Sequence, residues 1–183
     1  MTAKTKKIID KVFSITWWGL FLSLFAVVMG IVVAKAQGKV PKLFGYSVMK
    51  ITTASMGNTI PVGTYILIVD VAPDAVKKED IICFYSEDDR IYGYPNTHRV
   101  VADPIKVGEK YEYVTKGDAS LSNDSVTAKS DKLIGKYVKT MHAVTWISNN
   151  AKSNGTLVVL VGMFLVTTGV LTSTLIIKSK NEE

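Results

Sequence analysis

Two kinds of hydrophobic pattern run along the chain. Residues 12–34 and residues 155–177 each continue for 23 positions without a charged side chain or a proline. A membrane-crossing helix needs about 20 such residues, at about 1.5 Å of rise each. Both stretches therefore predict spans. The first exceeds the roughly 7–15 apolar residues of a cleavable leader, which predicts a retained anchor. Between the two, the pattern changes to short apolar and β-branched runs at 51–53, 65–71, 81–85, 97–102, 111–115 and 133–141. Loops rich in Asp, Asn, Ser, Gly and Pro separate them, such as 86–89 and 117–124. Such runs read as strands, and helical periodicity is weak throughout. The expected architecture is a mostly β domain between two transmembrane helices. Its parts are residues 1–36 (N-terminus and first span), 37–154 (β domain) and 155–183 (second span and tail).

Small residues recur at helical spacing on each span: Gly19, Ser23, Ala26 and Gly30 on the first, Gly155, Gly162 and Gly169 on the second. Small faces let helices approach closely in lipid, so the two spans are expected to pack on each other. Trp17 and Trp18 near the start of the first span fit an interfacial belt.

The formal charge of +6 raises the question of nucleic acid, and its distribution argues against it. Residues 1–36 hold five lysines and one aspartate, a net of +4, while residues 37–154 hold 15 basic and 13 acidic side chains, a net of +2. The excess sits beside the first span, at Lys4, Lys6, Lys7 and Lys11. Juxtamembrane lysines favour the cytoplasmic side. The N-terminus is then expected inside, residues 37–154 outside, and the tail with Lys178 and Lys180 inside again. Lys35, Lys39 and Lys42 beyond the first span reduce the contrast.

The one cysteine, Cys83, lies in the apolar run Ile81-Ile82-Cys83-Phe84-Tyr85 and reads as a buried strand residue. It has no second cysteine for an internal disulfide, so the β domain must be held by packing. Neither a metal nor a cofactor is expected, because His98, His142 and Cys83 lack ligand spacing. His142, near Trp146, reads as structural or interfacial.

Three further pieces could carry chemistry. Ser55, in Thr52-Thr53-Ala54-Ser55-Met56-Gly57-Asn58-Thr59-Ile60-Pro61-Val62-Gly63-Thr64, sits between an apolar run and a turn. A strand end can expose a hydroxyl while the strand itself pairs with a peptide. His98, in Thr97-His98-Arg99-Val100-Val101, is one of two histidines and could activate a serine near neutral pH. Asp118 and Asp124, in Thr115-Lys116-Gly117-Asp118-Ala119-Ser120-Leu121-Ser122-Asn123-Asp124, could orient an imidazole. Each piece alone is also what an ordinary surface serine, strand histidine or polar turn looks like.

Taken in order, these segments resemble the boxes of type I signal peptidases, in the Ser-His-Asp branch of archaeal, endoplasmic-reticulum and Gram-positive spore-former enzymes. Ser55-Met56 with Ile60-Pro61-Val62-Gly63 resembles the serine box, and Asp80-Ile81-Ile82 a strand box that usually reads Gly-Asp-Ile. Thr97-His98-Arg99-Val100 resembles the base box, with histidine where the commoner bacterial branch has lysine. Thr115-Lys116-Gly117-Asp118, followed by Asp124, resembles the acid box, and Ile134-Gly135-Lys136 the closing strand. The likeness covers about residues 47–140. It departs at Ala54, where glycine is usual, and at Gly57-Asn58, where a Ser-Met-Glu-Pro-type run would continue.

The resemblance implies a membrane-bound serine endopeptidase that removes signal peptides from exported preproteins. Ser55 would be the nucleophile and His98 the general base. The Ser55 N–H and the Thr53 hydroxyl would be the oxyanion donors. Asp124 would orient His98 and Asp118 would hold the loop, with the reverse assignment also open. Implied partners are signal peptides and membrane lipid, not nucleic acid. Two spans favour the plasma membrane over the endoplasmic-reticulum membrane. The alternative reading is an inactive membrane-anchored scaffold or binding protein of the same fold. A self-cleaving repressor-type peptidase fits less well, since those are soluble and use lysine.

Overall fold

The computed structural model describes residues 3–150, 161–162, 164–170 and 172–173. The chain divides into two compact units, residues 37–149 on one hand and the two terminal segments on the other.

In the terminal unit, helix α1 spans Ala3–Ala36. Its segment Lys7–Ala36 is long and apolar enough to cross a membrane, with a mean hydropathy of 2.2 in its most apolar window, none of it buried. The 34 residues of α1 extend for roughly 50 Å, more than the ~30 Å hydrocarbon core of a bilayer. Of the expected second span, the described residues between 161 and 173 are helical, and the rest lies outside the described residues. Trp17, Trp18 and Phe21 face Leu165, Val166, Gly169 and Val170 around an apolar pocket of about 230 Å³. A Cβ at Gly169 would lie 3.6 Å from Trp17 Nε1, whereas nothing described lies within 4 Å of one at Gly19, Gly30 or Gly162. The glycine-lined stripe of α1 is therefore not the described contact. The Trp17 ring lies beside Gly169 instead.

The 37–149 unit is mostly β. Its strands are β1 (Tyr46–Lys50), β2 (Tyr65–Val69), β3 (Ile81–Tyr85), β4 (Pro95–Val100), β5 (Ile105–Val107), β6 (Lys110–Tyr113), β7 (Thr115–Lys116), β8 (Ala128–Lys129) and β9 (Leu133–Thr140). The main sheet has the antiparallel order β1-β2-β9-β3-β4-β7, and β5-β6-β8 form a smaller one. Helix α2 (His142–Asn150) follows β9.

β3 explains why alternation is hard to see in this sequence. Ile81 and Cys83 enter one core with Met56, Ile60, Ile66, Ile68 and Ile134. Ile82 and Phe84 enter a second core with Val76, Val100, Tyr113 and Ala128. A strand buried on both faces needs apolar residues at every position. Cys83 is fully buried, and burial pushes its thiol up to about 12. β2 shows the ordinary pattern, with Ile66 and Ile68 fully buried between half-buried neighbours.

The first strand lies upstream of its expected place. Residues 51–53 are not a strand, because the chain leaves β1 there to turn toward Met56. Ile51 keeps two backbone bonds to the returning chain, donating to Thr64 O and accepting from Gly63 N–H at 2.9 and 2.8 Å. The expected run 111–115 is split between two sheets, β6 ending at Tyr113 and β7 starting at Thr115. β5, β8 and α2 have no counterpart in the apolar pattern: β5 is exposed throughout and β8 has two residues.

Candidate active site

The serine sits on a 3-10 turn, Ala54–Met56, that follows β1. Met56 anchors the turn by burying its side chain, 1% exposed, in the first core, which leaves Ser55 half-buried at the surface. Ser55 Oγ lies 3.3 Å from Thr53 Oγ1. The Ser55 carbonyl accepts from the Ala119 N–H at 2.8 Å, tying the turn to the aspartate loop. Gly117 packs so tightly there that a Cβ on it would come within 2.6 Å of Ser55 O and 2.9 Å of Ser55 Cβ. A side chain there would press on the turn that carries Ser55.

His98 lies on β4, which packs against the turn that carries Ser55. The ring is buried, 7% exposed. Its Nδ1 is 2.6 Å from Asp124 Oδ2. A carboxylate accepts only, so Nδ1–H donates and the other nitrogen, Nε2, is the basic one. Nε2 is buried and makes no hydrogen bond among the described residues. Asp124 Oδ2 also accepts from Thr115 Oγ1 at 2.6 Å.

Asp118 has a different set of partners. Arg99 grips it bidentately, Nε to Oδ1 at 2.9 Å and Nη2 to Oδ2 at 2.7 Å. The Thr59 hydroxyl donates to the same carboxylate, and Asn58 Nδ2 donates to the Asp118 carbonyl at 3.0 Å. The Arg99 guanidinium holds the Asp118 carboxyl below its ordinary value, against the opposing effect of burial. The Arg99 value is raised in return.

A cleft of about 380 Å³ opens beside the serine. One wall is the chain from Met49 through Ser55, and the other is Ile91 with Tyr94–Thr97. The first wall begins on β1, the unpaired end of the main sheet. The second includes the part of β4 before Arg99, where β7 has not yet begun to pair. Each wall therefore has an edge that no strand of the main sheet covers. The lining is more apolar than polar, and Lys50 is the charged side chain among it.

The structure thus brings Ser55 and Thr53 into one cleft wall, pairs His98 with Asp124, and places Asp118 on Arg99. His142 is at the start of α2 and outside the cleft lining. The sequence reading gave no role to Thr115, Asn58 or Thr59, nor to the second cleft wall. The box Thr97-His98-Arg99 held one usable signal. Adjacent strand residues point to opposite faces, so a second charged partner was needed for Arg99, and the loop has two aspartates.

No family model matches the chain. Over 119 residues it is 24% identical to Signal peptidase I W of Bacillus subtilis (strain 168), covering 64% of this chain and 60% of that protein. The chain thus spans about 60% of the length of the curated relative it matches. The likeness supports a distant relation to the signal peptidase I family and a hydrolase of the peptidase kind, without separating the branches of that family.

Proposed function

We propose that this chain is a membrane-anchored serine endopeptidase of the Ser-His-Asp type that removes signal peptides from exported preproteins. The observation that carries the reading is the 2.6 Å His98–Asp124 pair, whose imidazole is buried on a strand packed against the turn of a cleft-lining serine. It is the base-and-orienter half of a triad.

In this reading an extended substrate lies along residues 49–53 and adds a strand to the free edge. Ser55 Oγ leaves its contact with Thr53, gives its proton to His98 Nε2 and attacks the scissile carbonyl. His98 then protonates the leaving amine, and water hydrolyses the acyl-enzyme by the same route. Asp124 fixes the tautomer and stabilises the imidazolium. The Ser55 N–H and the freed Thr53 hydroxyl receive the oxyanion, where each well-placed donor contributes about 3–4 kcal/mol. Asp118 holds the loop through Arg99 and the 58–59 turn. The apolar helix α1 anchors the β domain, the lysine distribution supports residues 37–154 outside, and the two apolar runs of the sequence support a two-span, plasma-membrane arrangement.

The test is cleavage of a preprotein by the purified full-length chain in detergent, beside its Ser55→Ala variant. Cleavage after small residues by wild type alone is the expected result. Equal cleavage by Ser55→Ala ends the serine mechanism.

A further inference from the structure

Thr115 takes no part in the steps above, yet its hydroxyl is committed to them. It is 1% exposed, on the two-residue strand β7. Its backbone is fixed from two sides: it pairs with Val100 on β4, and its carbonyl accepts from the Asp124 N–H at 2.8 Å. Its hydroxyl donates at 2.6 Å to Asp124 Oδ2, the same oxygen that accepts from His98 Nδ1. Two donors from neighbouring strands converge on one carboxylate oxygen.

An aspartate on a loop has two torsions to spend, and one bond to an imidazole does not fix both. The Asp124 side chain is 21% exposed, so water competes for it, and the Arg90 guanidinium lies within its field. A buried hydroxyl on a paired strand cannot follow a carboxylate that swings toward either. We infer that Thr115 is a positioning residue: its hydroxyl holds Asp124 with Oδ2 on His98 Nδ1, and so keeps the ring in the tautomer whose Nε2 can take a proton. The consequence for rate rests on the peptidase reading, and the effect on the His98–Asp124 bond does not.

The experiment compares Thr115→Val, nearly isosteric without the hydroxyl, and Thr115→Ser, which keeps it, in the full chain in detergent. The first readout is the His98 Nδ1–H signal in imidazole nitrogen NMR. The chain has two histidines, so a His142→Gln background leaves one ring. The signal should persist in wild type and Thr115→Ser and be lost to exchange in Thr115→Val. The second readout is cleavage per folded molecule. Thr115→Val should lose kcat on the order of 10–100-fold with KM within about twofold, less than the ~10⁴-fold of losing the carboxylate's function. Thr115→Ser should recover most of the rate.

An unchanged Nδ1–H signal in Thr115→Val overturns the inference whatever the rate. A lost signal with unchanged kcat overturns its catalytic half. If wild type cuts nothing, the peptidase reading falls, while the NMR comparison still decides the link from Thr115 to His98. Should Thr115→Val not fold, Thr115→Cys, a weak donor, takes its place and is read the same way.

Discussion

Asp118 and Asp124 are six residues apart in one loop, yet they answer to opposite faces of the same strand. His98 and Arg99 are consecutive on β4, so their side chains diverge, and the loop after β7 meets both. The two carboxylates should therefore fail differently. Asp124→Asn should fold normally and lose roughly 10⁴-fold in cleavage, since an amide favours the wrong tautomer of His98. Asp118→Asn should cost about 1–3 kcal/mol of stability and lose activity in proportion to the folded fraction. Melting temperature and rate, measured on both variants, separate the two. A folded, inactive Asp118→Asn beside a working Asp124→Asn reverses the assignment. The Asp118–Arg99 pair also has a pH signature. Its carboxyl is lowered in the folded state, so its contribution is fully present above the ordinary carboxylate value of about 4 and fades as pH falls through the lowered one. Asp118→Asn should accordingly flatten the acid limb of unfolding, read by denaturant titration between about pH 2 and 5.

Among the elements, the turn at Ser55 and the strand β9 depend on glycines for close approach. Gly117→Ala would push a methyl into the Ser55 carbonyl, since its Cβ would lie 2.6 Å away. The variant should keep most of its stability if the loop gives way, and lose cleavage at least tenfold (about 1.4 kcal/mol of barrier) because the nucleophile is displaced. Gly135 is tighter still, with a Cβ only 2.3 Å from Val69 O, where β9 is wedged between β2 and β3. There the obstacle is backbone on a buried strand, so Gly135→Ala should cost at least about 1–3 kcal/mol and show first as lost folded yield. The uncovered edge of β1 beside the cleft makes a separate claim. If substrate adds as a strand, N-methylation of its backbone just before the scissile bond should raise KM far more than an added side-chain methyl does.

For the whole molecule, the question is which side of a membrane the β domain occupies. Helix α1 has the length and hydropathy of a span, and its N-terminal part carries four lysines at positions 4, 6, 7 and 11. In the proposed orientation, which follows the positive-inside rule, these stay in the cytoplasm. A membrane-impermeant protease added to intact cells should therefore trim residues 37–154 and spare an N-terminal tag. Digestion of the tag instead reverses the orientation and removes the proposed enzyme from its substrates' compartment.

The local pattern of side chains was enough to locate the apolar N-terminal helix, the strand Ile81–Tyr85 and most of β2, β4 and β9, because composition and run length act over neighbouring residues. It also marked Ser55, His98, Asp118 and Asp124 as a group worth testing. It misplaced the first strand, since leaving β1 at Lys50 is decided by the pairing of Ile51 with the chain returning at Gly63 and Thr64. It did not find β5 and β8, which exist through cross-strand pairing and, at three and two residues, are too short for a pattern to show. Above all, the residues by themselves left the partner of each aspartate open, and only the family resemblance assigned Asp124 to His98. Spacing in sequence says that two carboxylates share a loop. Which one meets an imidazole and which a guanidinium depends on β7 docking on β4, and with it on a buried threonine hydroxyl that only the fold brings to Asp124.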